Sequence, residues 1–230
     1  MIDLDVRYSK KLKTEGLAAD YILSLKRSIG FLSCDEAPFI GTAFWVSKTM
    51  VMTAGHCFIL KKNAPTDVSN LNSASKNILF HKFDGKGKIA LTIYYIDVNK
   101  DVALLTCIGD NDMVPILLSA NIPTNLMSII LVSAELTVAS QHDQKVPQFH
   151  TAIGSVTQVL DEVADNVKFF YQAITSGGMS GAPIILNEGT LIGVGMHTES
   201  TNEDGVKYPG NFPTAISSHT LAAVFANATK

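Results

Sequence analysis

Residues 50–57 read Met-Val-Met-Thr-Ala-Gly-His-Cys, an apolar run of β-forming residues that ends in a glycine and a histidine. A histidine at the end of a strand can point into a cleft, and its imidazole suits general base catalysis near neutral pH. Most histidines have a structural or surface role, so this stretch alone is a weak signal. His56 is therefore a candidate catalytic base only if the chain also supplies an orienting acid and a nucleophile.

A candidate acid stands directly before the apolar run Val102–Leu105. This acid is Asp101. If its carboxylate is buried, it must be paired or hydrogen-bonded, because burying an unpaired carboxylate costs much free energy. An imidazole N–H would satisfy it and would fix the tautomer of the ring. The simpler alternative is a turn aspartate ahead of a strand. Asp97 is the nearest competitor, but it lies within the preceding predicted strand.

The candidate nucleophile lies in a glycine-rich segment, residues 175–183, which reads Thr-Ser-Gly-Gly-Met-Ser-Gly-Ala-Pro. Glycines on both sides of Ser180 permit a tight turn that presents the hydroxyl and aims nearby N–H groups at one point. An oxyanion would form at that point during acyl transfer. A flexible Gly/Ser loop is the simpler alternative. Together, however, the three signals provide the complete set of groups for acyl transfer.

Short β-rich runs separated by Gly, Asn, Asp and Pro continue from residue 28 to the C-terminal region and predict an all-β sandwich or pair of barrels. Asp84-Gly85 and Glu188-Gly189 predict tight turns, and His219–Ala226 predicts a late helix capped by Ser217 or Ser218. The predicted strands are Ile29–Leu32, Thr42–Val46, Met50–Thr53, Ile78–Phe80, Ile89–Val98, Val102–Cys107, Ser128–Val132, Ala152–Leu160, Val167–Ile174, Ile184–Leu186 and Leu191–Met196.

Other segments predict loops and boundaries. Polar composition indicates exposed loops at 61–77, 139–147 and 198–210, and a short helix is expected within 14–23. The Gly- and Pro-containing stretch 108–123 is the expected link between two lobes.

Composition excludes several classes of protein. With 230 residues, 47% of them hydrophobic and 17% charged, the chain can bury a full core. A net charge of −3 gives no reason to expect nucleic acid as a partner, and no apolar run is long enough to span a membrane. Residues 1–7 lack the order of a secretory signal, so we expect a cytoplasmic location.

The three cysteines, Cys34, Cys57 and Cys107, cannot all pair within one chain, and none lies in a C-x-x-C pattern. We expect reduced thiols, as in a reducing compartment. The chain has no H-E-x-x-H motif and no ligand-like spacing of His and Cys, so neither a metal nor a cofactor is expected.

The three motifs resemble those of the chymotrypsin-like serine proteases. Residues 53–57 are similar to the T-A-A-H-C box of that family, residues 101–105 to its D-I-A-L-L box, and residues 178–183 to its G-D-S-G-G-P box. They also occur in the order His, Asp, Ser that is typical of this group. The T-A-G-H-C and T-x-G-G-x-S-G-x-P patterns resemble most closely those of the bacterial glutamyl-endopeptidase branch.

The resemblance implies two six-stranded antiparallel β-barrels with a C-terminal helix. The expected division is an N-terminal extension at 1–27, a first barrel at 28–110, a linker at 111–122 and a second barrel with the helix at 123–230. It also implies a serine endopeptidase that acts through an acyl-enzyme on protein or peptide substrates. His56 would be the base, Asp101 its orienting acid and Ser180 the nucleophile, with the N–H groups of Gly178 and Ser180 as the oxyanion hole.

Two departures from the family pattern carry expectations. Trypsin has an aspartate before its nucleophile that pairs with a freed N-terminal amine; here that residue is Met179, so we expect no N-terminal activation. The family's disulfide beside the histidine is expected to be missing, because the position opposite Cys57 is Gly41. A bridge from Cys34 to Cys57 stays open as an alternative.

The specificity pocket should be lined by Thr175 and Ser176 and by the strand after Gly193. Ile174 occupies the position of the aspartate in trypsin, so Lys or Arg specificity is not expected. Glutamyl endopeptidases bind the substrate acid through a G-x-H strand. Two registers are open: in one Gly193-Val194-Gly195 occupies that strand without a histidine, and in the other Gly195-Met196-His197 does. The second predicts Glu or Gln specificity through His197, and the first a small apolar preference.

Two other functions are alternatives to a protease. An esterase of the α/β-hydrolase fold is disfavoured by the His-Asp-Ser order and by the absence of a G-x-S-x-G elbow. A catalytically inactive binding module with the same fold remains the alternative. If the enzyme is intracellular, we expect control by a regulatory partner, by residues 1–27 or by narrow specificity.

Overall fold

The computed structural model describes residues 24–35, 37–58, 77–83, 87–109, 111–119, 121–138, 145–161, 167–173, 178–196, 199–201, 207–209 and 213–228. No helix in these ranges is both long and apolar enough to cross a membrane.

The first half of the chain forms a closed antiparallel barrel. Around the barrel the strands follow the order β1, β2, β3, β6, β5, β4, and β4 pairs with β1 to close it. The alternating exposed and buried residues of β5 are those of a barrel wall with one face inside. The strands are β1 Ile29–Cys34, β2 Ala37–Trp45, β3 Met50–Ala54, β4 Ile78–Lys82, β5 Lys88–Asp97 and β6 Val102–Thr106.

The second half forms another closed barrel, in the order β10, β11, β14, β9, β8, β7. A two-stranded sheet of β12 and β13 lies between β11 and β14 in the chain, and helix α1 follows the last strand. The elements are β7 Ser128–Val138, β8 Lys145–Asp161, β9 Val167–Gln172, β10 Pro183–Ile185, β11 Leu191–Met196, β12 Glu199–Thr201, β13 Lys207–Pro209, β14 Thr214–Ser217 and α1 Ser218–Ala228. The fold prediction of two six-stranded barrels with a C-terminal helix is confirmed.

Strand periodicity distributes the apolar side chains among three cores. On β6, Ala103 and Leu105 point into the first barrel, whereas Leu104 between them joins a cluster shared with the second barrel. That shared cluster also contains Ile130 and Val194 of the second barrel and residues of α1. Because each large aliphatic side chain contributes roughly 1.5–3 kcal/mol on burial, this cluster holds the two barrels together along one seam.

Several predicted elements differ in extent from the observed ones. The predicted loop 139–147 is too long, because its last residues, 145–147, belong to β8. The predicted loop 198–210 is wrong in part, since it contains the paired strands β12 and β13. Both strands are short and polar, so backbone pairing defines them and no apolar alternation marks them in the sequence.

The predicted late helix is confirmed and begins at Ser218, and the side chain of Ser217 caps it by accepting a hydrogen bond from the N–H of Thr220 at 3.4 Å. The turn at Glu188-Gly189 is also confirmed. The predicted turn at 84–85, the helix within 14–23 and loop residues 61–76 lie outside the described residues.

Candidate active site

His56 stands at the end of β3, in a 3₁₀ turn that covers Gly55–Cys57. The buried residues of β3 fix the strand in the barrel wall, and the N–H of Gly55 donates to the carbonyl of Asp101 at 2.9 Å. The imidazole remains partly open to solvent, with 37% of the side chain exposed. The chain thus places a solvent-reachable imidazole on a rigid backbone at the rim of the first barrel.

Asp101 holds both the backbone and the ring of His56. Its Oδ1 accepts the N–H of His56 at 2.6 Å, and its Oδ2 lies 2.7 Å from Nδ1 of the ring. Its backbone is left-handed, with φ of 53°, a conformation that aspartate tolerates better than most residues. A neutral imidazole that donates from Nδ1 to this carboxylate keeps Nε2 as a free acceptor, as a general base requires.

Asp97, the competing acid, lies in a different environment. Its Oδ1 accepts the N–H of Lys100 at 3.0 Å, and its Oδ2 is 3.8 Å from the ammonium of the same lysine. Asp97 therefore stabilises the turn between β5 and β6, and the carboxylate in contact with His56 is that of Asp101.

Ser180 lies in a turn of the second barrel that packs against the first. Its carbonyl accepts the N–H of Thr42 on β2 at 2.9 Å. The next residue, Gly181, has φ of +81°, and a Cβ there would lie only 2.2 Å from Oγ1 of Thr53 on β3. The turn at Ser180 therefore packs against β2 and β3, and β3 is the strand that ends at His56. Among the described residues, the hydroxyl of Ser180 makes no hydrogen bond, either to His56 or to any other group.

Gly178 begins the same turn, with φ of +102°. A Cβ at this residue would lie 2.7 Å from the ring of Phe39 and 2.9 Å from the carbonyl of Ala134, so only glycine fits. Its carbonyl accepts the hydroxyl of Thr42 at 2.8 Å. Within the described ranges, neither the N–H of Gly178 nor that of Ser180 donates to a protein group, so both amides remain available as donors.

Met179 sits between these two amides and points away from them. Its side chain is buried, with 6% exposed, and packs in the core of the second barrel with Met127, Leu131 and Ile184 among the members of that cluster. A thioether in an apolar core cannot form the ion pair that an aspartate would make there.

The predicted specificity pocket is only partly described. Thr175, Ser176, Ile174 and His197 lie outside the described residues, so the choice between the two registers stays open. Gly195 lies on β11 beside the turn that contains Ser180, where its carbonyl accepts the N–H of Gly181 at 2.9 Å. A Cβ at Gly195 would lie 3.1 Å from the hydroxyl of Tyr171, a residue that the sequence did not single out.

All three cysteines are free, so the alternative of a Cys34–Cys57 bridge is wrong for this structure. Cys57 is buried directly behind His56, and burial raises the pKa of its thiol to about 12. With its thiol protonated, Cys57 behaves as a small apolar residue of the core. Within the described residues no group of His, Cys, Asp and Glu could hold a metal ion.

Sequence reasoning missed Thr42 and Thr53, two buried threonines at the contact between the barrels. A signal was present, since a hydroxyl in the middle of a predicted buried strand must find a hydrogen-bond partner. The identity of that partner, however, depends on the other barrel and is not encoded locally.

Comparison with solved structures shows the same fold at low sequence identity. The chain is similar to the inactive form of a serine-to-alanine mutant of Rv3671c from M. tuberculosis H37Rv, with 15% identity, a TM-score of 0.63 and coverage of 91% of this chain and 90% of that one. The inactive form of the Rv3671c protease gives 15% identity and a TM-score of 0.62, over 92% and 93% of the two chains. The active form of the Rv3671c protease from M. tuberculosis gives 15% identity and a TM-score of 0.63, over 90% of this chain and 82% of that one.

Comparison of sequences assigns the family. No curated protein matches the sequence significantly. Residues 41–194, which include His56, Asp101 and Ser180, match the profile of the trypsin-like peptidase domain. The match extends over about two thirds of the chain, and the chain belongs to the trypsin-like peptidase family.

Proposed function

We propose that this protein is a serine endopeptidase that uses Ser180, His56 and Asp101. The observation that carries the proposal is the double contact of Asp101 with the backbone N–H and the Nδ1 of His56, at 2.6 and 2.7 Å. A structural aspartate would need only one of these contacts. The pair fixes both the position and the tautomer of an imidazole that is partly open to solvent, which is what a general base needs.

In the proposed reaction, Oγ of Ser180 attacks the substrate carbonyl while Nε2 of His56 takes the hydroxyl proton. The N–H groups of Gly178 and Ser180 stabilise the oxyanion, and His56 then returns the proton to the leaving amine. Water next attacks the acyl-enzyme, with His56 as base, and releases the carboxylic acid product and Ser180. Asp101 keeps its contact with Nδ1 of His56 and stabilises the imidazolium that forms.

The hydroxyl of Ser180 must turn toward His56 for this chemistry. Catalytic hydrogen bonds are often long or misaligned without substrate and tighten in the complex. We expect a side-chain rotation to make this contact, because the turn of Ser180 lies against β2 and β3.

We also propose that no freed N-terminal amine activates the enzyme, because Met179 is buried in an apolar core and offers no carboxylate. Wild-type protein should therefore hydrolyse peptides without prior cleavage. The proposal is wrong if engineered cleavage near residue 28 switches on an otherwise silent enzyme and Met179 substitutions abolish that response.

The substrates we propose are proteins or peptides with Glu, Gln or a small apolar residue before the cut, in a cytoplasmic setting. A regulatory protein partner remains part of the proposal. Profiling with a peptide library, on wild type and His197→Ala, distinguishes the two preferences, since only a pocket role for His197 predicts loss of acid or amide preference.

The alternative is a binding module without activity, and the observation that favours it is that the hydroxyl of Ser180 makes no hydrogen bond to any described residue. A fluorophosphonate probe separates the two. An active enzyme forms a covalent adduct at Ser180 that is lost in Ser180→Ala and strongly slowed in His56→Ala, and it releases peptide products. Folded wild-type protein that neither reacts with the probe nor cleaves a peptide library would overturn the protease proposal.

A further inference from the structure

Thr42 forms an unusual contact between the two barrels. The residue is fully buried on β2, with 0% exposed. Its hydroxyl donates to the carbonyl of Gly178 at 2.8 Å and accepts the N–H of Ala134 on β7 at 2.9 Å. One side chain of the first barrel thus satisfies a donor and an acceptor of the second.

The backbone of Thr42 also binds this turn, at Ser180. Its N–H donates to the carbonyl of Ser180 at 2.9 Å, and its own carbonyl accepts the hydroxyl of Thr53 at 2.7 Å. The carbonyl of Met179 is fixed by the N–H of Ala182 at 2.9 Å. Among the described residues, the carbonyls of Met179 and Ser180 accept backbone N–H groups, whereas that of Gly178 accepts a side-chain hydroxyl.

This dependence matters because Gly178 follows another glycine and adopts a φ of +102°. A glycine pair has wide rotational freedom, so the carbonyl of Gly178 would be free to turn without its partner. The carbonyl of Gly178 belongs to the peptide that links it to Met179, and rotation about the Cα–C bond of Gly178 changes the orientation of this peptide relative to the N–H of Gly178. Holding the carbonyl therefore limits how far the N–H of Gly178 and the N–H of Ser180 can turn relative to each other.

We propose that the hydroxyl of Thr42 is a positioning group that holds Gly178 so that the two amides of the oxyanion hole converge. The inference rests on the proposed serine endopeptidase function. Thr42 touches no reacting atom and acts through Gly178. Valine and serine at position 42 both keep the backbone N–H that donates to Ser180, so the two variants differ in whether the hydroxyl is present.

The test compares Thr42→Val, which keeps the shape and lacks the hydroxyl, with Thr42→Ser, which keeps the hydroxyl. Thr42→Val should lower kcat by about 10- to 100-fold with KM within about twofold, since loss of one oxyanion donor outright costs about 10²–10³. Thr42→Ser should remain within about threefold of wild type. A peptide boronate, which mimics the tetrahedral state, should lose affinity for Thr42→Val by a similar factor.

Thr220→Val is the matched control for loss of a buried threonine hydroxyl. Thr220 is also fully buried, and its hydroxyl accepts the N–H of Val167 at 2.8 Å, away from the nucleophile turn. This variant should lose stability and keep wild-type kcat. If Thr42→Val does not fold, Thr42→Ala provides the same comparison, with thermal unfolding measured for every variant.

The outcomes separate the two proposals. A wild type without hydrolysis or probe reaction overturns the protease function, and the positioning role with it. An active wild type whose kcat survives Thr42→Val, or falls equally in Thr42→Ser, overturns the positioning role alone. An effect of Thr42→Val that is confined to KM also overturns the positioning role alone.

Discussion

Replacing Gly41 by cysteine should create a disulfide with Cys57. A Cβ placed at Gly41 would lie 2.9 Å from Sγ of Cys57. In a disulfide with normal bond lengths, the Cβ of one half lies about 3 Å from the sulfur of the other. The second sulfur therefore needs only a side-chain rotation to bond, and Cys57 is free to accept it.

The size of the effect follows from two opposing terms. The bridge would close a loop of about 16 residues, which stabilises by about 3 kcal/mol through the unfolded state. The new Cβ would also lie 2.9 Å from the carbonyl oxygen of Ser180, a backbone atom that must shift by a few tenths of an ångström. Overpacking of this kind costs about 1 kcal/mol or more. The net gain is about 2 kcal/mol, or about 4–8 °C in Tm for a chain of this length.

Gly41→Ala is the control, because it introduces the same Cβ without a bridge and should lower Tm by a few degrees. Thiol titration in denaturant should find two free thiols in oxidised Gly41→Cys, those of Cys34 and Cys107, and a reductant should cancel the gain in Tm. If four thiols titrate after mild oxidation, or if the bridged variant melts below Gly41→Ala, the reasoning from the Cβ position is refuted.

Three further predictions concern titratable groups. Asp101→Asn should lower kcat by about 10³–10⁴-fold with little change in Tm, because an amide permits the wrong tautomer of His56; a loss under tenfold in peptide hydrolysis would contradict the role of Asp101. The thiol of Cys57 should resist iodoacetamide at pH 8 in the native protein, because burial raises its pKa to about 12, whereas the half-buried Cys34 and Cys107 should react. Mass spectrometry of the labelled peptides measures the reaction at each cysteine, and rapid labelling of Cys57 in the native protein would count against its burial. Burial and the charge of Lys88 lower the pKa of His81 below its ordinary 6.5, so the stability it contributes is present above that pH and is lost as the pH falls below it. Urea unfolding at pH 7.5 and 5.5 should therefore show a larger loss for wild type than for His81→Gln, and equal losses would refute the assignment.

The local parts of the site were predictable from the sequence because each is encoded in a few neighbouring residues. The end of β3 and the turn at His56 follow from an apolar strand that stops at a glycine, and Asp101 follows from its place before β6. The strand pairing of β3 with β6 then brings the two together, with Ala54 opposite Val102. Both strands are buried at nearly every residue, so their burial shows no alternation, and the all-β prediction came instead from short apolar runs separated by Gly, Asn, Asp and Pro.

The contacts between barrels were not predictable in the same way. Thr42 and Gly178 are 136 residues apart, and nothing near either residue specifies the other. The strands β12 and β13 were missed for a different reason, since two polar segments of three residues leave no period-two pattern of apolar residues in the sequence. Sequence patterns indicate which side chains are buried. They give little information about which polar groups form hydrogen bonds after the two barrels have packed.

The two halves of the site therefore differ in how firmly the fold determines them. The carboxylate of Asp101 contacts His56 at two atoms, the backbone nitrogen and Nδ1, so one group of the first barrel holds both the main chain and the ring. Ser180 is held at its carbonyl by the opposite barrel, while its hydroxyl makes no hydrogen bond within the described residues. The backbone of Ser180 is therefore held by the opposite barrel while its hydroxyl stays unrestrained by any described side chain. The position of the turn depends on the shared apolar cluster and on Thr42, so packing at the seam between the barrels should control nucleophile alignment more than any change within the His56–Asp101 pair.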